Sequence, residues 1–174
     1  MLNGSSQKHL IKLHLCELEQ RATPAVFTVN SLADTGDIAV GNGVAMDGWG
    51  HTTLRAAIEE ANFVAPGGPP IPQHTIVFHQ ELPLLGNEIL LTSSLPTITC
   101  TLTIIGIGPE VIRISGANQF EIFKIGTDGF ATLRNLGITN GKTTAVNASG
   151  GVYISPSSEA ILENCLISNC ISVN

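Results

Sequence analysis

Apolar positions recur along this chain with two different periods. After Pro24 the run "AVFTVNS" alternates in the manner of a strand, with Val26 set against Phe27 and Val29. In "HTTLRAAIEEANF" the spacing changes: Leu54, Ala57, Ile58 and Ala61 fall at i, i+3, i+4 and i+7 and predict one amphipathic helix. Thr52 or Thr53 is placed to cap it, and Arg55 and Glu59 form an i,i+4 pair. The prolines of "APGGPPIP" then forbid its continuation. From "HTIVFH" onward every apolar run is short and bounded by Gly, Asn, Ser or Pro. Successive strands are predicted in "EILLTSSLPTI", "TLTIIGIG", "VIRISG", "FEIFKIG", "ATLRNLGITNG", "GGVYIS" and "AILENCLISNC".

Two of these runs are copies. Ala131–Gly141 lies over Ala160–Cys170 with Leu133 on Leu162, Asn135 on Asn164, Ile138 on Ile167 and Asn140 on Asn169, an offset of 29 residues. "TLTIIGIG" joins the same frame at an offset of 31, Thr101 falling on Thr132. Repeats of this length that hold only short strands predict an all-β fold, a parallel β-helix solenoid. A β-sandwich is the alternative, because evenly spaced short strands suit it too. The first coil of a solenoid exposes both its core and a strand edge, so it needs a cap. The stripe Leu54, Ala57, Ile58 and Ala61 supplies the cap's apolar side, with Arg55, Glu59 and Glu60 expected to face water. The last residues, "ISVN", carry no closing element, so the final edge is expected to pair with further coils or another chain. Three regions follow: a poorly ordered segment over 1–24, a strand, loop and capping helix over 25–73, and coils over 74–174.

Composition narrows the choice of function. The chain is 43% hydrophobic and 13% charged, and its net charge of −6 offers no footprint for nucleic acid. No run approaches the roughly 20 apolar residues of a membrane span. The N-terminal "HLIKLHLCEL" is broken by Lys12, His14 and Glu17, so it supplies no clean export signal. Cys16, Cys100, Cys165 and Cys170 form no CxxC, and Cys100, Cys165 and Cys170 read as small buried hydrophobes.

The stretch from Phe27 to Asn62 resembles the CSLREA domain, which begins many secreted bacterial β-helix proteins, adhesins among them. Val29-Asn30-Ser31, Asp34, Asp37, Gly41, Gly43, Leu54-Arg55, Ala57-Ile58 and Glu60-Ala61-Asn62 carry the resemblance. It departs where the family has two cysteines, here Ala45 and Thr52, and a glutamate, here Ala56. If those cysteines normally bridge the loop to the helix start, this chain lacks a staple of about 2–4 kcal/mol. Gly150-Gly151-Val152-Tyr153 and the "ISNC" of 167–170 are similar to the repeats of polymorphic outer-membrane proteins. The two resemblances imply a right-handed parallel β-helix, a single-stranded pectin-lyase-like solenoid with an N-terminal helical cap, in an extracellular or cell-surface protein with a glycan or protein ligand as partner.

Neither family brings a shared catalytic residue, so chemistry has to be sought in the chain itself. Polysaccharide-cleaving β-helices need a base and a cation on neighbouring coils. Arg113, Lys124, Arg134, Glu121 and Glu163 lie on strand runs, but Arg134 and Glu163, equivalent in the repeat, make a surface ion pair. Asp34, Asp37 and Asp47, with Asn30 and Asn42, form the one acidic Gly-rich loop suited to calcium, although Asp and Asn also favour turns. His74 and His79 fall on opposite faces of a strand. Stacked asparagines at 135/164 and 140/169 are expected to satisfy the backbone at coil corners. Trp49 and Tyr153 alone make no sugar-stacking platform. The expectation is a non-enzymatic secreted or surface β-helix, adhesin-like or structural, without a cofactor. The alternative is the N-terminal part of a polysaccharide-active enzyme whose catalytic coils lie beyond Asn174.

Overall fold

A computed structural model describes residues 24–63, 73–84 and 86–173. The expectations for residues 1–23, including Lys12, His14, Cys16 and Glu17, and for the proline run lie outside these. Among the described residues the sheets are all parallel and wind into a β-solenoid of about 3 turns with a single short helix near its N-terminal end.

The longest sheet holds β1 (Val26–Val29), β2 (His74–Phe78), β4 (Thr101–Ile105), β7 (Phe130–Arg134) and β11 (Glu159–Glu163), in that order. A second sheet stacks β3 (Glu88–Leu90), β5 (Arg113–Ser115), β8 (Gly137–Thr139) and β12 (Leu166–Ser168). A third pairs β6 (Phe123–Ile125) with β10 (Val152–Ile154) and is extended by a bridge from Ile98 to Ile125. A short fourth pairs β9 (Lys142–Thr143) with β13 (Ile171–Ser172).

Alternate side chains on each strand point inward and stack on their equivalents one coil away. Ile76, Ile104 and Leu133 form one such column, and Ile89, Ile114 and Ile138 another, each residue fully buried. The columns continue to Leu162 and Ile167 on the last coil, but these are 38% and 45% exposed. Their chemistry is that of core residues, and they are exposed because no described strand stacks on the far side of β11 and β12.

The 29-residue repeat is the register itself: Leu133 pairs with Leu162 and Ile138 with Ile167. The offset of 31 for the preceding coil is corrected to 29, since Thr101 lies opposite Phe130 and Thr103 opposite Thr132. The cause is the corner between the first two sheets. In the last two coils it takes two residues, Asn135-Leu136 and Asn164-Cys165, whereas in the coil before it the chain runs from Gly106 to Ile112. Matching Gly106-Ile107 to Gly137-Ile138 ignores that longer corner. A slip of two residues keeps every side chain on its proper face, so the hydrophobic pattern could not reveal it.

Asparagines do stand at the corners, but they serve through their backbone conformation and contacts to other side chains, not by satisfying backbone groups. Asn135, Asn164, Asn140 and Asn169 all take left-handed backbone, with φ of 54°, 49°, 54° and 53°. Asparagine tolerates that conformation better than other side chains with a Cβ. Its amide also stacks here: Asn164 Nδ2 donates to Asn135 Oδ1 at 2.7 Å.

Leu133→Ala should cost about 2–5 kcal/mol, the range for a closed core. Leu162→Ala should cost well under half of that, because its site is already open to water. Urea unfolding of the two variants compares them directly, and equal losses would mean that the last coil is covered in solution.

Candidate functional site

Among the described residues, side-chain hydrogen bonds concentrate at the cap. Its helix, α1 (Leu54–Ala61), buries Leu54, Ala56, Ala57, Ile58 and Ala61 completely. Thr53 is the N-cap: its hydroxyl accepts from Ala56 N–H at 3.0 Å and donates to Thr35 O at 2.5 Å.

The polar face of α1 is not wet as expected, because the loop from Asn30 to Thr52 folds over it. Arg55 forgoes Glu59 and forms a two-pronged pair with Asp34, Nε to Oδ1 at 2.9 Å and Nη2 to Oδ2 at 2.8 Å. The two side chains are 11% and 2% exposed. Glu59 accepts from Asp37 N–H at 2.6 Å. Glu60, 6% exposed, accepts from the N–H groups of Gly41 and Gly43. Those glycines have φ of 95° and 83°, which lets both N–H groups turn to one carboxylate, and a Cβ on Gly41 would strike the Phe63 ring.

The same side chains finish the exposed edge of the first coil. Arg55 donates to the carbonyls of Ser93 at 2.8 Å and Ser94 at 2.9 Å, while Asp34 accepts from Thr92 N–H at 2.7 Å and its hydroxyl at 2.9 Å. Asn62, just past the helix, donates to Thr97 O at 2.8 Å and accepts from Thr99 N–H at 2.9 Å. Its amide thus supplies the donor and acceptor that a neighbouring strand would offer. The helix is a cap in the strict sense: it plugs the core and pairs the edge.

The proposed calcium ligands do not gather. Asp34 faces Arg55 and Thr92. Asp37 Oδ1 accepts from Ala39 N–H at 2.8 Å. Asp47 is buried and accepts from the Thr35 hydroxyl at 2.7 Å and from the N–H groups of Trp49 and His51, each at 2.9 Å. Asn30 and Asn42 accept from Thr52 and Val44 N–H groups. Among the described residues no three His, Cys, Asp or Glu side chains form a group that could hold a metal ion. Burial alone would raise the Asp47 pKa, but its hydrogen bonds from His51, Thr35 and Trp49 and the nearby His51 charge together hold it below the ordinary value.

The remaining candidates sit on the coils. Arg134 and Glu163 meet as expected, Nε to Oε2 at 2.6 Å, both about half exposed. Lys124 lies over the Tyr153 ring at 5.8 Å from its centre, one coil away. Burial raises the Glu121 pKa, partly offset by the charge of Lys124, and its Oε1 is buried without a hydrogen bond. Cys100, Cys165 and Cys170 are free thiols; Cys100 is buried in the core, and burial pushes its pKa to about 11. His79 is exposed while His74 points into the core, where its Nδ1 accepts from Ala25 N–H at 3.2 Å. Burial lowers the His74 pKa, with Glu60 acting weakly the other way. Sequence reading missed the partners of Asp34, Glu60 and Asn62, since nothing local marks contacts to Thr92, the glycine turn or Thr97.

Together these features define the described part of the molecule as a parallel β-solenoid of about 3 turns with a helical cap at its N-terminal end. No protein-family model, curated protein or solved structure matches the chain. No described helix is long and apolar enough to cross a membrane.

Two outcomes follow from the cap. Arg55→Ala leaves the buried Asp34 carboxylate without its cation and should cost about 3–5 kcal/mol in urea unfolding. Asn62→Ala should cost about 1–3 kcal/mol and speed hydrogen exchange at Thr99 more than at Leu133. A pH dependence near neutrality is expected from His74. Its unfolded form takes up a proton near 6.5, whereas the folded form does so only at lower pH. Stability is therefore full above the unfolded value and falls as pH drops through the folded one. His74→Leu should flatten the loss of stability that sets in as pH falls below about 6.5. An unchanged slope in urea midpoints would locate the proton uptake elsewhere.

Proposed function

We propose that this chain forms the capped N-terminal part of a non-enzymatic, secreted or cell-surface β-helix, adhesin-like or structural, whose coils present their flanks to an extracellular glycan or protein. The observation that carries this reading is the composition of the cap. Asp34, Arg55 and Asn62, three of the residues that resemble the CSLREA start, make the bonds that close the first coil, and a fourth, Glu60, holds the loop over the helix. The two positions where that family has cysteines are also adjacent, since the Thr52 hydroxyl donates to Ala45 O at 2.8 Å. A hydrogen bond thus occupies the place of the absent staple. Ala56 remains a departure, because it is fully buried and leaves no room for a charged side chain. The Arg134–Glu163 pair fits a structural flank better than a catalytic one.

A second reading, a polysaccharide-active β-helix, draws on the cluster of Glu121, Lys124 and Tyr153, where a carboxyl with a raised pKa lies near a cation. The two readings separate on polygalacturonate. The non-enzymatic reading expects no growth of unsaturated product in ultraviolet absorbance; growth that Glu121→Gln removes would overturn it. The cap resemblance has its own check. Ala45→Cys with Thr52→Cys should oxidise spontaneously and add about 2 kcal/mol of stability. Two thiols that stay reduced in air would count against it.

A further inference from the structure

The loop over the cap helix is turned inside out. Between residues 38 and 50 the buried positions are Ala45 and Asp47, and every exposed one is Gly, Ala, Val, Ile, Met or Trp except Asn42. Asn42 in turn directs its Oδ1 to Val44 N–H. The carboxylates of the cap point the other way. Asp34 pairs with Arg55, Asp47 accepts from the Trp49 and His51 N–H groups, and Glu59 and Glu60 accept from those of Asp37, Gly41 and Gly43. A loop fastened from inside by its backbone sends its own side chains outward, and here those side chains are apolar.

They also gather. Ile38 N–H donates to Met46 O at 2.9 Å, which sets the two residues side by side. Burial alternates along Val44, Ala45, Met46 and Asp47, so Val44 and Met46 share the outer face of one extended run. The Phe63 ring lies against Gly41, next to Val40. Trp49 tops the adjoining turn, which is pinned at its base by Asp47 N–H to His51 O at 2.8 Å. Trp49 is 74% exposed, and the other five side chains are between 39% and 66% exposed. Together the six present on the order of 600 Å² of surface. That is at the top of the range for apolar patches on monomers, about 300–600 Å². A fixed tryptophan in an uncharged apolar surround has the composition of an interface centre.

We propose that this surface binds the same surface of a second copy, cap to cap about a two-fold axis. Two such patches would remove about 1,200 Å² from water, the lower end of the range for specific interfaces. An uncharged apolar patch is complementary to itself, as a two-fold contact requires. The carboxylates already face inward in each cap, so the contact takes little further charge out of water. A lipid surface fits less well. Segments that lie on membranes combine apolar side chains with exposed Lys or Arg, whereas Arg55, the only Lys or Arg between Phe27 and Phe63, is held against Asp34. The contact uses the cap alone and holds whichever ligand the coils take.

Trp49 is the single tryptophan of the chain, so its emission reports on this surface alone. As the concentration of the full chain is raised, sedimentation should show a monomer becoming a dimer, with the emission moving to shorter wavelength over the same range. Met46→Asp should weaken the dimer about tenfold or more while leaving the circular dichroism spectrum and urea midpoint in place. Val44→Asp should do the same, so that a folding defect in one variant does not decide the matter. Ile167→Asp, on the last described coil, should leave the dimer intact. A monomer at every concentration would overturn the proposal, and short-wavelength emission from that monomer would mean that another part of the chain covers the patch. A dimer that Ile167→Asp separates and Met46→Asp does not would also overturn it. So would a shift to shorter wavelength on phosphatidylcholine vesicles in a protein that stays monomeric, for it would make a lipid bilayer the occupant.

Discussion

Every backbone donor and acceptor on one margin of a coil belongs to the next coil, and this constraint organises the molecule. Parallel strands stacked in register satisfy one another only in the interior of the stack. The 29-residue spacing between β7 and β11 keeps side chains, corners and hydrogen bonds aligned at once. Leu133 is fully buried because Leu162 lies beside it, and Asn135 holds its left-handed corner with Asn164 stacked on it. Nothing in this arrangement ends by itself. An end needs a separate device.

At the N-terminal end that device has two layers. The apolar stripe of α1 closes the core, as hydrophobic burial requires. A plug of that kind would still leave the carbonyls and N–H groups of residues 92–99 facing solvent or unpaired. Asp34, Arg55 and Asn62 answer those groups individually, while Glu59 and Glu60 draw the long loop across the helix. The loop in turn shields the Asp34–Arg55 pair from water, which strengthens a charge pair relative to an exposed one. A helix with ordinary wet polar residues would plug the core and leave the edge open.

How much of this could be read from the sequence depended on whether the cause was local. The stripe Leu54, Ala57, Ile58 and Ala61 announces the helix, because its period is visible within eight residues. The copied asparagines announce the corners, because the same backbone need recurs each turn. The register of the coil at Thr101 was misjudged by two residues, since its corner length is set by a loop that the repeat does not share. The polar face of α1 was misread for a similar reason. Arg55 and Glu59 stand at the right spacing for each other, yet Asp34 is 21 residues from Arg55 and the loop brings it nearer. Charge pairing over such separations is decided by the fold, and the local pattern proposes only the commonest partner.

The acidic loop shows the same point for chemistry. Asp34, Asp37 and Asp47 in a glycine-rich stretch have the composition of a cation site, but a cation site requires their oxygens to converge. Here each carboxylate turns to a different set of N–H and O–H donors: Arg55 and Thr92 for Asp34, Ala39 for Asp37, Thr35, Trp49 and His51 for Asp47. Asp34 and Asp47 have their oxygens directed at protein donors and would have to give up those bonds before they could ligate an ion, while Asp37 keeps one buried oxygen, Oδ2, without a donor. For Asp34 that would also strand a nearly buried guanidinium. The loop is therefore best understood as a set of separate fasteners, each holding one strand of chain over the helix, and acidity in it as the means of accepting many backbone N–H groups where no strand is available to do so.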